Sequence, residues 1–336
     1  MTDLTRRAML GALPAFGLAG AAWAQSPPGT QYINVPNDGL TGLNAASAGS
    51  LNLNASLDAW VDKWGRPTAR VMLNGKGPFS FMVDTGSTNT VLARRHVEVI
   101  GAPITGTATV AGTTGMAETQ VARLSLIEAG AMSKRDVRVA VLPDNNLGGI
   151  DGILGADVFA GKKLVFDIQG KSVRIEGSRK PTRATRGTMM ANMRVRNGLL
   201  AEVDGRIGNV SAKLMLDTGA ENCIANVALS DALKLAHPGL QRVENMQVFG
   251  VTGHVLAGQY IQLPRVDLRA FSVKDAGAVA VDAPIFDLWG LKNEPALIVG
   301  VNLLSRLDSF SIDYGAKSFE ATLLSGQTAR NAADFG

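Results

Sequence analysis

Apolar residues in this chain come in short runs separated by glycine-rich turns. Near residue 69 the run Ala69-Arg70-Val71-Met72-Leu73 leads into Asn74-Gly75, and Phe79-Ser80-Phe81-Met82-Val83 follows. Asn-Gly readily supplies the two positive-φ positions of a tight hairpin turn, so this stretch predicts two paired strands. Runs of similar length recur to about residue 324, and few segments show the 3.6-residue period of an amphipathic helix. Residues 228–236 read as a short helix. The pattern therefore predicts a mainly β fold.

The runs also repeat. Phe79-Ser80-Phe81-Met82-Val83 ends in Asp84-Thr85-Gly86-Ser87, and Leu214-Met215-Leu216 ends in Asp217-Thr218-Gly219-Ala220, 133 residues later. After each triplet comes Val-x-Gly-x-Thr-Gly, once as Val110 to Gly115 and once as Val248 to Gly253. Next comes Gly152-Ile153-Leu154-Gly155-Ala156-Asp157, matched by Leu297-Ile298-Val299-Gly300-Val301-Asn302. Phe166-Asp167 and Ile312-Asp313 then lead through Gly-containing turns to Lys171-Ser172 and Lys317-Ser318. Four landmarks in one order indicate an internal duplication. The expected layout is a first lobe over 67–177, a linker over 178–190, a second lobe over 191–324 and a polar tail over 325–336. A polar lead-in rich in Asn, Gly, Ala and Ser covers 25–66.

The first 24 residues read as a targeting segment: Arg6-Arg7, an apolar stretch, then Ala22-Trp23-Ala24 as a small-x-small cleavage site. Thr5-Arg6-Arg7-Ala8-Met9-Leu10 resembles a twin-arginine export signal; an ordinary secretory signal is the alternative, and both imply export to the periplasm or beyond. The apolar stretch is short for a membrane span and holds Pro14, so no stable membrane anchor is expected. A single cysteine, Cys223, excludes an intramolecular disulfide framework, and 336 residues suffice for a large core in its place. A formal net charge of +4, spread along the chain, gives no reason to expect a nucleic-acid partner. The basic stretch from Ser178 to Met190 reads as solvated linker.

One carboxylate from each copy makes a pair, and paired carboxylates suit acid-base hydrolysis because two adjacent like charges do not both ionise readily. Apolar-apolar-Asp-Thr-Gly-Ser/Ala, a glycine-rich hairpin and apolar-apolar-Gly-Asp/Asn together resemble the pepsin-like and retropepsin-like aspartic proteases. The resemblance covers about residues 67–324 in two tandem copies and is nearer the retropepsin type. It implies two similar β-rich lobes with a cleft between them, acting as a monomer on a peptide or protein substrate, with no cofactor and no metal. Asp84 and Asp217 would be catalytic. Thr85, Gly86, Ser87, Thr218, Gly219 and Ala220 would support them, the threonines by bonds across the lobe interface.

In this reading the ionised carboxylate takes a proton from a bound water and the protonated one donates to the scissile carbonyl. The Ser87 hydroxyl is expected to donate to Asp84, which would make Asp84 the more acidic member and Asp217 the proton donor. Both copies keep the hairpin motif, so two flaps are expected, at Gly112, Thr113, Thr114 and Gly115 and at Gly250, Val251, Thr252 and Gly253. The alternative function is a non-catalytic peptide- or protein-binding module on the same fold. His96, His237 and His254 lack metal-ligand spacing and read as surface or loop residues. Cys223 matches Thr90 in the repeat and reads as a buried strand residue.

Overall fold

The computed structural model describes residues 31–34, 55–57, 60–62, 65–130, 132–179, 188–196, 200–268 and 272–323. The targeting segment, most of the lead-in, the linker's centre and the tail lie outside the described residues.

The fold is mainly β, built as three sheets, and is consistent with a β-rich aspartic protease fold. In the first sheet the strands run, in spatial order, Ile104–Gly112, Gly115–Ala129, Met132–Leu142, Val91–Ala93, Gly152–Leu154, Lys76–Val83 and Pro67–Leu73. Gln31–Asn34 and Trp60–Val61 flank this series. The second sheet runs Arg242–Phe249, Val255–Gln262, Gly277–Ala280, Cys223–Ala225, Ala296–Val299, Val210–Leu216 and Leu200–Ile207, with Val266–Asp267, Ser272–Val273 and Arg194–Arg196 beyond the last of these. Over the seven strands named first in each sheet the two orders are the same, so the sequence repeat is also a repeat of topology.

The Asn74-Gly75 hairpin forms as expected, with φ of 49° and 76°, between Pro67–Leu73 and Lys76–Val83. The expected helix is Val227–Ala236, capped by Asn226, whose side chain accepts from the Leu229 N–H at 2.9 Å. Leu229 and Leu233 bury its inner face. Pro238, just beyond the helix, cannot extend it.

The third sheet was not legible in the sequence. Its order is Thr188–Asn192, Ser318–Leu323, Leu307–Asp313, Lys162–Asp167, Ser172–Gly177 and Ala55–Leu57. Strands from both copies meet in it, because Lys162–Asp167 pairs antiparallel with Leu307–Asp313 from Lys163↔Asp313 to Asp167↔Ser309. Phe166 and Phe310 stack across that seam, with ring centroids 4.5 Å apart. Residues 188–190, read as linker, belong to a strand, because Thr188, Met189 and Met190 pair with Thr322, Ala321 and Glu320. The last hairpin of each copy thus leaves its own sheet and joins the other copy's.

The third landmark closes each copy's sheet on the strand that carries Asp84 or Asp217. Gly152–Leu154 pairs parallel with the first of these and Ala296–Val299 with the second. Behind it, Thr90 Oγ1 donates to Asp157 Oδ1 at 2.9 Å, and in the second copy the Cys223 thiol donates to Asn302 Oδ1 at 3.1 Å. Burial pushes Asp157 up to about 6, partly offset by Lys134 and the Thr90 bond. A carboxyl whose folded pKa is raised costs stability as pH rises from about 4 through 6, and the full cost is present above that. Asparagine keeps the acceptor for Thr90, as Asn302 supplies one to Cys223 in the second copy. Asp157→Asn is therefore expected to stabilise the protein by about 2 kcal/mol at pH 7.5 and by almost nothing at pH 4. Urea unfolding at the two pH values checks this; an equal effect at both would refute the assigned cause.

Candidate active site

Asp84 and Asp217 each follow directly from the end of a buried strand. The Asp84 N–H donates to Leu154 O and the Asp217 N–H to Val299 O, both at 3.1 Å, so each loop is tied to its supporting strand. Each carboxylate then folds back onto its own loop. Asp84 Oδ1 accepts from the N–H groups of Gly86 at 2.8 Å and Ser87 at 3.0 Å. Asp217 Oδ1 accepts from Gly219 at 2.8 Å and Ala220 at 3.1 Å.

The loops are locked crosswise. The Thr85 N–H donates to Thr218 Oγ1 and the Thr218 N–H to Thr85 Oγ1, each at 3.1 Å. Thr85 Oγ1 donates to Leu216 O at 3.0 Å, and Thr218 Oγ1 to Val83 O at 2.7 Å. Both threonines are buried, so each of these bonds satisfies a backbone group that water does not reach.

This lock sets the carboxylates against the opposite loops. A Cβ at Gly86 would stand 2.4 Å from Asp217 Cγ, and one at Gly219 would stand 2.4 Å from Asp84 Cγ. Glycine is required at both positions because any side chain would occupy the space of the facing carboxyl group. Asp84 is 0% and Asp217 1% exposed. Burial first, then the adjacent Asp217 charge, push the Asp84 carboxyl well above its ordinary range, and the Gly86 N–H and Arg66 pull it partly back. Two carboxyl groups so placed titrate as a unit, and each adjacent like charge disfavours ionisation of the other.

One expectation is corrected. The Ser87 hydroxyl donates to Asn89 O at 2.8 Å and not to Asp84. Only its backbone N–H reaches the carboxylate, and the Ala220 N–H does the same in the second loop. The Ser/Ala difference therefore does not make Asp84 the more acidic member, because the hydroxyl is turned along its own loop.

The two glycine-rich hairpins meet each other. Gly112, Thr113, Thr114 and Gly115 form the first tip, all buried, and Gly250, Val251, Thr252 and Gly253 belong to the second. Thr114 Oγ1 donates to His254 O at 2.9 Å, and a Cβ at Gly250 would lie 2.0 Å from that same hydroxyl. Each tip also packs into the other copy. Ala111 belongs to an apolar cluster with Met215 and Ala220, which bracket Asp217, and Val251 belongs to one with Met82 and Ile153. The Asn146 amide holds Val251 O at 2.9 Å.

The remaining candidates stay outside this site. His96 pairs with Asp151 at 2.7 Å and packs on Phe79. Burial raises the Cys223 thiol to about 12, which fits a packing residue and not a nucleophile. Sequence reasoning missed Asn146 and Arg66; His254 is an exposed loop residue, as expected, and it meets Thr114 through its backbone carbonyl. No local motif distinguishes the first two; each acts through a partner more than 100 residues away, Val251 and Gly219 respectively.

A comparison with curated proteins found no match. Residues 69–158, which include Asp84, the first hairpin tip and the strand Gly152–Leu154, match the family model for aspartyl protease.

Proposed function

We propose that this chain is an exported aspartic endopeptidase that hydrolyses peptide bonds through a water activated by Asp84 and Asp217. The observation that carries the reading is the crosswise threonine lock, which sets two buried carboxylates from distant loops against each other. The match of the first half to the aspartyl protease family supports it. In our reading the chain is a tandem enzyme with lobes over 67–177 and 191–324, and the matching order of seven strands around Asp217 supports this.

The mechanism follows from one proton shared by the pair. The ionised member removes a proton from a water lying between the carboxyl groups and the scissile carbonyl. The protonated member donates to the carbonyl oxygen as the water oxygen adds, giving a neutral tetrahedral diol. Collapse of the diol returns a proton to the leaving amine and breaks the C–N bond. Backbone N–H groups of the two loops hold the carboxylates in place throughout.

Because both carboxylates are sealed, a peptide enters only when the hairpin tips part and Val251 leaves its apolar seat. The substrate class is an extended peptide or protein segment, the acting unit is a monomer with both lobes in one chain, and the compartment is the periplasm or the medium. A mixed peptide library tests the reading. Cleavage that is blocked by a transition-state-mimicking aspartic protease inhibitor is expected. Inhibitor or peptide binding without any cleavage would instead identify a binding module on the same fold.

A further inference from the structure

Arg66 lies just before the first strand of the first half, and its side chain is 1% exposed. A tight turn prepares it: the Asp62 N–H donates to Arg66 O at 2.9 Å and the Gly65 N–H to Asp62 O at 3.0 Å. Asp62 takes the arginine's backbone N–H at 3.0 Å and its Nε at 2.7 Å, and Nη2 stands 2.6 Å from the same carboxylate. Burying a guanidinium is costly unless it is paired and hydrogen-bonded, and Asp62 meets most of that requirement. The remaining arm, Nη1, reaches Gly219 O in the second Asp-Thr-Gly loop at 3.5 Å, across 153 residues of chain.

The sequence repeat does not carry this arginine. Counting back equally from Asp217 reaches Leu199. The nearby arginines of the second copy are engaged elsewhere, Arg194 with Glu202 and Asp204 and Arg196 with Glu202 and Trp289 O. We propose that Arg66 is a positioning residue for the dyad, bracing the second loop from the first half and giving the two carboxylates unequal surroundings. Its charge favours the ionised form of Asp84 and also that of Glu221, which follows the second loop. Among the described residues, other ionisable groups near the pair include Asp62, bound to Arg66 itself, the Cys223 thiol, which feels Asp217, and Tyr314, whose buried phenol feels both dyad carboxylates. The asymmetry that Ser87 does not supply would then come from outside both loops.

The proposal rests on the dyad reading, so its test includes a measurement independent of turnover. Carboxyl-carbon NMR titration of Asp-labelled full-length protein follows Asp84 and Asp217 directly, with Asp84→Asn and Asp217→Asn spectra for assignment. Arg66→Met is expected to raise the lower apparent pKa of the pair by about 0.5–1.5 units. Asp62→Asn leaves the guanidinium charge uncompensated and should move it in the opposite direction. Arg66→Lys keeps the charge without the planar fork, and should retain most of the titration while weakening turnover.

The acidic limb of the pH profile for peptide hydrolysis should follow the same signs. Shifts of one sign in Arg66→Met and Asp62→Asn, or none in either, would overturn the proposal, since a purely structural brace loosens equally from both ends. If Arg66→Met does not fold, Asp62→Asn and Arg66→Lys decide it: a downward shift in the first with a near-native titration in the second is expected, and any other pair of results overturns it. A wild type that cleaves nothing yet shows these opposite shifts would remove the protease reading and leave the role of Arg66 standing.

Discussion

Asp84→Asn and Asp217→Asn, made separately, are each expected to lower peptide hydrolysis by at least about 10³-fold, because an amide neither accepts the water's proton nor donates as an acid. The fold should survive. Asparagine keeps an oxygen where Oδ1 accepts the loop N–H groups, and it fits the space between the facing glycines. The sign of the stability change is a second check. Burial and the Asp217 charge raise the folded pKa of Asp84, so its cost appears as pH climbs above the unfolded carboxyl value and persists at neutrality. Asp84→Asn removes that cost, so the melting temperature at pH 7 should rise while activity disappears. Near-normal turnover in either variant would rule out shared-proton chemistry; a sharp fall in melting temperature would show that the carboxylate is needed for folding.

Thr218→Val carries the largest expected structural effect. Valine keeps the shape but deletes the hydroxyl that donates to Val83 O and accepts from the Thr85 N–H. Two buried backbone groups then lack their partner, a loss of about 2–4 kcal/mol, equivalent to roughly 4–8 °C in melting temperature. Thr85→Val deletes the reciprocal bonds to Leu216 O and from the Thr218 N–H. The double variant should cost clearly less than the sum, because the four bonds form one network and its first break already frees the others. Additive losses measured by urea unfolding would mean that the two threonines act independently. Activity should fall with stability in all three, since the same bonds set the separation of the carboxylates.

The sequence by itself determined the local elements and their repetition. Alternating and continuous apolar runs specify strands, Asn74-Gly75 specifies its hairpin, and the stretch over 228–236 specifies the helix, because each rests on contacts within a few residues. Two Asp-Thr-Gly triplets, each with its hairpin motif and apolar-Gly strand, were legible for the same reason. What the tertiary structure decided is the pairing between copies that no motif carries. Strands 162–167 and 307–313 could have closed separate sheets by pattern alone, and their register across the seam is set by packing of Phe166 against Phe310. The Ser87 hydroxyl donates to Asn89 O within its own loop, and only its backbone N–H meets Asp84 Oδ1. Arg66 and Asn146 gain their meaning only from Gly219 and Val251, more than 100 residues away. No short-range pattern encodes such partners: many polar side chains are compatible with a given backbone group, and the completed core selects which one arrives.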